Sequence, residues 1–357
     1  MRILYGVQGT GNGHTTRARV MSTAFNKAGV SVDYLFSGRA PDRYFNMEPF
    51  GDYQTRQGLT LITDAGRVKL LKTVWKNNLL RLWQDVRKLD LSGYDLVITD
   101  FEPVTAWAAR LQKVPSVGIA HQYAFYHRVP GTESAPWLKP AMKSIAPAQL
   151  EVGVHWHHFG HPILPPLIEP APASLPVVAE NILVYLPFES LDEIRYRLRE
   201  FEQFCFVIYA AVEEEARTEN LWIKPFSRLG FQEDLARCGG VIANAGFGLC
   251  SEALQAGKKL LVKPLRNQVE QSANAAALEQ LGRATIMRQL DSSAIAEWLE
   301  QGSPVPINWP DTAGALVDWI LAGRHEPMEC LADRLWSELP LEVREQRASE
   351  ALMSRQS

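Results

Sequence analysis

Cysteine is scarce in this chain of 357 residues, and its four cysteines form no C-x-x-C pair. Scattered thiols give no zinc or redox motif. Cys205 and Cys250 lie in apolar surroundings, and buried thiols in a reducing compartment are their simplest interpretation. No apolar run approaches the roughly 20 residues that a membrane-spanning helix needs. The first eight residues also lack the pattern of a signal peptide. We therefore expect a cytoplasmic protein that does not cross the bilayer.

Neither positive nor negative charge dominates the whole chain, since the formal net charge is −3. Residues 1–150 nevertheless carry 19 lysines and arginines against 11 aspartates and glutamates. This basic first part favours an anionic partner or surface, and the acidic remainder argues against nucleic-acid binding. The basic segment 67–88 has apolar residues at helical spacing. It is either an amphipathic helix with a solvated basic face or a peripheral contact with anionic membrane lipid.

Two α/β patterns organise the chain. An apolar strand at 2–7, a glycine loop, a helix and a second strand at 30–36 predict a parallel sheet. Six prolines between residues 162 and 176 are typical of a stiff linker. A strand at 182–186 then restarts the pattern. The predicted organisation is listed here in chain order: N-terminal domain 1–161, linker 162–180, C-terminal domain 181–340, polar tail 341–357.

The stretch 241–271, VIANAGFGLCSEALQAGKKLLVKPLRNQVEQ, carries the clearest sign of chemistry. A short apolar strand, a glycine turn and a helix present backbone N–H groups and a positive helix end, which suit phosphate. Glu252 lies one turn inside that helix, where a carboxylate can accept hydrogen bonds from ribose hydroxyls. Glu270 and Gln271 follow in a polar loop that suits a polyhydroxylated ligand. An ordinary strand–turn–helix with glycines only for the turn is the alternative.

A second glycine loop, QGTGNGHTTR, follows the first strand and contains Gly11, Gly13 and His14. Its G-x-G-x-G spacing departs from the dinucleotide fingerprint, and the second strand leads to Arg39 where an acid should meet a ribose. An NADP site that uses Arg39 stays open. His14 is the candidate base, because an unperturbed histidine titrates near neutral pH. A structural hydrogen bond at the helix start is the alternative.

Asp100 is the expected partner of His14. It ends the strand 96–99, and the carboxyl ends of parallel strands are where α/β sites assemble. A carboxylate there can orient the imidazole and stabilise its protonated form. Glu102 is the competing base, two residues further along, whereas His121 after the next strand is expected to be structural.

Four histidines fall between residues 155 and 161, and a strand would place His155 and His157 on one face. This density suggests metal binding, but no cysteine or carboxylate completes a recognisable ligand spacing. A strand and its end are the expected structure, with no metal site.

The order of glycine turn, acid, strand and Glu-Gln loop over residues 241–282 resembles the donor-binding segment of GT-B glycosyltransferases that use UDP-sugars. Examples are the N-acetylglucosaminyltransferase of peptidoglycan lipid precursors and the UDP-glycosyltransferases. The resemblance implies an α/β fold with two Rossmann-like domains facing across a cleft. It also implies donor-binding residues: Gly246, Phe247 and Gly248 for the diphosphate, Glu252 for the ribose, Glu270 and Gln271 for the sugar, and Ser190 and Phe226 for the diphosphate or uracil.

In that family the first glycine loop faces the cleft and commonly carries a histidine, and in plant members this histidine pairs with an aspartate placed like Asp100. The implied activity is an inverting, metal-independent transfer from a nucleotide-sugar, expected to be a UDP-sugar, to an acceptor hydroxyl. A lipid or cell-envelope glycan precursor is a candidate acceptor, and no cofactor is expected. No D-x-D triplet occurs, which argues against the metal-bridged diphosphate of the other common transferase fold. A UDP-sugar 2-epimerase and a non-catalytic nucleotide- or lipid-binding protein are the rivals.

Overall fold

The computed structural model describes most of the chain, namely residues 1–44, 46–59, 63–64, 67–68, 79–133, 135, 137–170 and 175–344. The chain divides into two compact units. The N-terminal unit comprises residues 1–62, 69–169 and 309–357, and the C-terminal unit comprises residues 63–68 and 170–308. The division at 169/170 lies inside the predicted linker. Residues from Trp309 onward group with the N-terminal unit, so the second unit does not extend to residue 340 as predicted.

The strands of the described residues are numbered in chain order. They are β1 (Ile3–Gln8), β2 (Val32–Ser37), β3 (Gln54–Arg56), β4 (Thr63–Asp64), β5 (Arg67–Val68), β6 (Leu96–Asp100), β7 (Ser116–Ala120), β8 (Leu150–Gly153), β9 (Val178–Tyr185), β10 (Cys205–Ala210), β11 (Ala216–Thr218), β12 (Leu221–Pro225), β13 (Cys238–Ala243), β14 (Lys259–Val262) and β15 (Thr285–Ile286).

The α-helices of the described residues are numbered in the same way. They are α1 (Asn12–Lys27), α2 (Leu79–Lys88), α3 (Pro103–Gln112), α4 (Leu138–Ile145), α5 (Leu191–Leu198), α6 (Arg228–Arg237), α7 (Phe247–Gln255), α8 (Val269–Gln280), α9 (Ser292–Leu299), α10 (Thr312–Leu321), α11 (Met328–Ser337) and α12 (Leu341–Arg344).

The N-terminal unit is built on a parallel sheet with the strand order β3-β2-β1-β6-β7-β8. All residues of β1, β6 and β7 are buried, which explains why these strands are short and mostly apolar in sequence. Gly6 of β1 allows α3 to pack closely, because a Cβ atom there would lie 1.9 Å from Oγ1 of Thr105. The sheet order places the end of β6 beside the end of β1, where α1 begins.

The late helices complete the N-terminal unit. Helix α10 packs against α1, and Nε1 of Trp336 in α11 donates a hydrogen bond to the Ile163 carbonyl at 2.6 Å. These contacts explain why residues after 309 belong with the first half of the chain.

The C-terminal unit has the strand order β11-β12-β10-β9-β13-β14-β15, in which only the edge strand β11 is antiparallel to its neighbour. Its core includes Val184, Ile242, Leu261 and Trp298, all buried. Strands β9, β12, β13 and β14 run parallel, so the loops that follow them emerge at one edge of the sheet.

Two local predictions were wrong. The continuous helix predicted at 67–88 is absent at its start, because Arg67–Val68 form β5 and pair with β4. Helix α2 covers the end of that segment, and residues 69–78 lie outside the described residues. The histidine-rich segment is also not a strand, since β8 ends at Gly153 and Val154 adds only an isolated bridge to Leu164. Among the described residues, no helix has the length and apolar character that crossing a membrane requires.

Candidate functional site

His14 and Asp100 lie together where α1 begins and β6 ends. Nδ1 of His14 is 2.7 Å from Oδ1 of Asp100. The aspartate side chain is fully buried, whereas the histidine side chain is 13% exposed. When Nδ1 carries the proton and donates to the carboxylate, Nε2 remains as the acceptor nitrogen. The geometry therefore gives His14 what a general base needs, which is an oriented ring with one nitrogen available.

Arg17 is a third member of this cluster that the sequence reasoning missed. Its Nε donates to Oδ2 of Asp100 at 2.7 Å, and its Nη2 donates to Oδ1 at 2.5 Å. Nη2 also lies 3.0 Å from Nδ1 of His14. Arg17 follows His14 by three residues on α1, a spacing that places both side chains on one helix face. That spacing was the available signal.

The charge of Asp100 is set by these two neighbours. Burial raises the pKa of the Asp100 carboxyl, but the Arg17 guanidinium and the His14 imidazole outweigh burial and hold the pKa below its ordinary value. Asp100 is consequently ionised near neutral pH and accepts hydrogen bonds from both partners. Part of its negative charge is already balanced by Arg17 before His14 takes up a proton.

Glu102, the competing base, is fully buried and caps α3. Its carboxylate accepts hydrogen bonds from the backbone N–H groups of Val104 and Thr105 at 2.8 and 2.7 Å. The hydroxyls of Thr105 and Ser37 donate to it as well, each at 2.6 Å. Burial raises the pKa of Glu102 in spite of these bonds, which lower it. An enclosed helix cap is poorly placed to reach a substrate, so the geometry favours His14.

The glycine loop before α1 leaves the helix start open. Gly11 is the N-cap with φ 119°, a conformation that favours glycine, and no side chain caps the helix. A Cβ atom at Gly13 would meet no other atom within 4 Å. Arg39, the residue considered for an NADP site, donates from Nη2 to Oδ1 of Asn12 at 3.3 Å. Gly11 and Gly13 therefore lie at the N-terminal turn of α1, which also carries His14.

The histidine-rich segment forms hydrogen bonds with its own backbone. Nδ1 of His155, His157 and His158 accepts from the N–H groups of Trp156, Phe159 and Gly160, respectively, at 2.8 to 2.9 Å. Burial lowers the pKa of His157 to about 4 and that of His155 well below its ordinary value. Nδ1 of the buried His121 lies 2.8 Å from the Val154 carbonyl oxygen. Across the part of the chain that the structure describes, no group of three or more His, Cys, Asp or Glu side chains is arranged to hold a metal ion.

In the C-terminal unit, the glycine turn leads from β13 into α7. Gly246 is the N-cap, and no side chain caps this helix. The first N–H groups of a helix have no acceptor within the helix. A Cβ atom at Gly246 would meet nothing within 4 Å, so the turn is open on that side. The Phe247 side chain is buried, which leaves its backbone as the part that can face a ligand.

Two further predicted donor residues emerge at the same edge of the sheet. Ser190 is the exposed N-cap of α5, after β9, and its hydroxyl makes no capping hydrogen bond. Phe226 follows β12 and is 50% exposed, with its ring 6.0 Å from that of Tyr185 in an edge contact. The structure thus gathers the loops that carry Ser190, Phe226 and the glycine turn.

The remaining donor candidates differ in exposure. Glu252 on α7 and Glu270 in the first turn of α8 are partly exposed. Gln271 is buried, and its Oε1 accepts a hydrogen bond from the Leu265 N–H at 2.9 Å. Gln271 therefore fixes the loop before α8 with one end of its amide, and Glu270 is the more accessible member of the pair.

Lys263 and Glu189 form an ion pair in the C-terminal unit that the sequence reasoning also missed. Nζ of Lys263 lies 2.6 Å from Oε1 of Glu189, and each side chain is only 8% exposed. Neither residue belongs to a recognisable motif, because the two are far apart in the chain. Only the sheet order brings the loop after β9 close to the end of β14.

Comparison with known proteins identifies the chain at the level of the family. The model of the family described as "Glycosyl transferase family 1" matches residues 1–136 and 157–302. No individual curated protein gives a significant match.

Solved glycosyltransferase structures share the fold. SsfS6 from Streptomyces sp. SF2575 has a TM-score of 0.56 at 14% identity, covering 94% of this chain and 96% of its own. MurG from Acinetobacter baumannii has a TM-score of 0.51 at 17% identity, covering 90% and 99%. VinC, solved in complex with dTDP, has a TM-score of 0.52 at 16% identity, covering 94% and 96%. Because the family model spans well over half of the sequence, this chain belongs to glycosyl transferase family 1 and is a glycosyltransferase of the GT-B fold.

Proposed function

We propose that the protein is an inverting, metal-independent glycosyltransferase that uses a UDP-sugar donor and an acceptor hydroxyl. The observation that carries this proposal is the His14–Asp100 pair, in which a fully buried carboxylate orients a partly exposed imidazole. A base in this state is what removal of a proton from a hydroxyl at neutral pH requires. Simple nucleotide binding does not call for such a base.

The proposed reaction is a single displacement. The acceptor O–H passes its proton to Nε2 of His14 while the oxygen attacks the anomeric carbon. The bond between that carbon and the β-phosphate oxygen breaks, and its electron pair leaves with UDP. Attack from the face opposite the leaving group inverts the anomeric centre, through an oxocarbenium-like state of the kind known from glycoside hydrolysis.

The leaving diphosphate is assigned to the start of α7. Negative charge grows on the β-phosphate as the bond breaks, and fixed N–H dipoles at the helix start stabilise that charge without a metal ion. Gly246 keeps this approach open, and Gly248 lies in the same turn. Ser190 has a hydroxyl that is not used for capping and can donate to the same group.

Two residues support a nucleotide ligand. The half-exposed Phe226 ring offers a face for stacking, and Glu252 offers a carboxylate to the ribose hydroxyls. VinC, which shares the fold, was solved with dTDP, also a pyrimidine nucleoside diphosphate. We assign the sugar hydroxyls to Glu270, with Gln271 shaping the loop beside it.

Substitution of Glu252 by alanine is expected to weaken UDP binding about 10- to 100-fold, because hydrogen bonds to a charged group are lost. Calorimetric titration with UDP measures this directly, and Glu270→Ala is the matched control because that residue is assigned to the sugar. An unchanged UDP affinity in Glu252→Ala would remove the ribose assignment.

A screen of nucleotide-sugars for binding and slow hydrolysis tests the function before the acceptor is known. Wild-type protein in EDTA is expected to bind a UDP-sugar and to release free UDP slowly, with water as a poor acceptor. His14→Ala should bind the same donor without releasing UDP. A product that keeps its UDP would instead indicate a 2-epimerase.

We further propose a peripheral contact between α2 and an anionic membrane, as a lipid-linked acceptor on the cytoplasmic side would require. Leu79, Leu80 and Trp83 of this helix are 55%, 78% and 39% exposed. Arg87 and Lys88 are also exposed and add positive charge. Apolar side chains flanked by cations are typical of helices that lie on anionic lipid.

The change Leu80→Glu is expected to reduce binding to phosphatidylglycerol-containing vesicles at least about fivefold, because a charge replaces an inserting side chain. Co-sedimentation measures the bound fraction, with neutral phosphatidylcholine vesicles for comparison. Leu229→Glu is the matched control, since Leu229 is 76% exposed on α6 of the other unit. Equal losses in both variants, or no vesicle binding by the wild type, would contradict the contact.

A further inference from the structure

The buried Lys263–Glu189 ion pair spans the place where the glycine turn starts. Glu189 lies in the loop after β9, and Lys263 directly follows β14. Strand β13 lies between these two strands in the sheet. A side-chain contact that joins the ends of β9 and β14 must therefore cross the carboxyl end of β13, where the chain turns toward α7.

Backbone contacts tie Lys263 to that turn. Its N–H donates to the Ala243 carbonyl at 2.8 Å, and its own carbonyl accepts from Nδ2 of Asn244 at 2.8 Å. Asn244 itself is only 6% exposed. Lys263 is thus fixed to Ala243 and Asn244, which lie three and two residues before the Gly246 N-cap, and its ammonium is held by Glu189.

The charge of this pair matters for an anionic ligand. A buried ion pair contributes little net field at a distance, but each member alone contributes a strong one in a poorly screened site. A carboxylate beside a diphosphate site repels the ligand unless a cation balances it. Lys263 supplies that balance, and it adds to the attraction of the α7 helix dipole.

We propose that Lys263 is the cationic group of the donor site and that Glu189 positions its ammonium and moderates its charge. This inference rests on the proposed function, because it takes the diphosphate to bind at the start of α7. It assigns the pair a role in ligand affinity beyond the stability of the unit. The ligand class is a nucleoside diphosphate, alone or bearing a sugar.

Two single variants are expected to change UDP affinity in opposite directions. Glu189→Gln keeps an oxygen that can accept from Nζ but removes the negative charge, so UDP should bind about tenfold more tightly. Lys263→Met leaves the carboxylate without a partner, so UDP should bind about tenfold more weakly. The double variant has neither charge and should lie between the two. Calorimetric titration at low and high salt measures each value, with uridine as the uncharged matched ligand.

Uridine affinity distinguishes an electrostatic role of the Lys263–Glu189 pair from a purely structural one. We expect the uridine affinity to stay constant across the variants. The differences in UDP affinity between the variants should shrink at high salt. Parallel changes for UDP and uridine, or a UDP affinity in Glu189→Gln no higher than that of the wild type, would overturn it. If Lys263→Met fails to fold, Glu189→Gln and the double variant still decide the question. Failure of the wild type to bind UDP at all would instead contradict the proposed function.

Discussion

Replacement of His14 by alanine is expected to lower kcat about 10²- to 10⁴-fold, the usual contribution of a positioned general base. The UDP affinity should stay unchanged, because His14 lies in the N-terminal unit and the diphosphate is assigned to α7 of the C-terminal unit. Steady-state rates with an identified donor and acceptor measure the first quantity, and calorimetric titration measures the second. The split between kcat and binding distinguishes a catalytic role from a structural one.

His325→Ala is the matched control for this variant, since it removes an exposed histidine that has no place in the proposed reaction. It should retain the wild-type kcat and UDP affinity. Full activity in His14→Ala would show that another group accepts the proton. Glu102 is then the first residue to test, although its four hydrogen bonds and complete burial argue against it.

Replacement of Asp100 by leucine is expected to lower the free energy of unfolding by about 3–5 kcal/mol, because Arg17 keeps a buried charge without its partner. The loss should exceed that of an ordinary surface substitution, since Arg17 makes two hydrogen bonds to this carboxylate and its side chain is only 6% exposed. Activity should fall as well, because Nδ1 of His14 loses its acceptor. Urea unfolding followed by circular dichroism gives the stability change.

The double variant Asp100→Leu with Arg17→Met separates these two effects. Apolar side chains of similar size often replace a buried ion pair without loss of stability, so the double variant should recover most of the unfolding free energy. It should not recover activity, because His14 still has no carboxylate. A single variant as stable as the wild type would show that the Arg17–Asp100 pair contributes little, and recovered turnover in the double variant would contradict the role of Asp100.

Local sequence signals were sufficient for the strands and for the glycine turn into α7. The strands predicted at 2–7 and 30–36 are observed as β1 (Ile3–Gln8) and β2 (Val32–Ser37), and the predicted glycine turn leads into α7 at Phe247. Buried parallel strands read as short apolar runs, and glycine marks the turn into the helix, so these elements are defined by neighbouring residues. The pairing of His14 with Asp100 was also accessible, because Asp100 ends β6 and His14 follows β1, and these parallel strands are neighbours in the sheet.

Residues whose role depends on distant partners were not predicted. The roles of Arg17 and Lys263 depend on their contacts with Asp100 and Glu189, respectively, which lie 83 and 74 positions away in the chain. The assignment of residues after 309 to the N-terminal unit depends in the same way on the packing of α10 against α1. Sequence periodicity shows that such a helix is amphipathic, but it does not show which surface it covers.

Two signals were present and went unused. Glu102 is followed by Pro103 at the first helical position, which is the pattern of an N-cap followed by proline. The spacing of His155 and His157 is that of side chains on one face of a strand. In the structure, however, their rings accept hydrogen bonds from backbone N–H groups one or two residues later. Short polar side chains that bond locally compete with strand formation, and histidine does so here.

The central claim is that UDP leaves in a single displacement that the protein catalyses without a metal ion. Proton NMR of a UDP-α-sugar incubated with the wild-type protein in EDTA tests this claim most directly, because the first-formed anomer is visible before it equilibrates. The account predicts free UDP together with the β-anomer of the released sugar, or the β-glycoside when an acceptor is supplied. An α-configured product, a UDP-sugar epimer, or a reaction that stops in EDTA would contradict it.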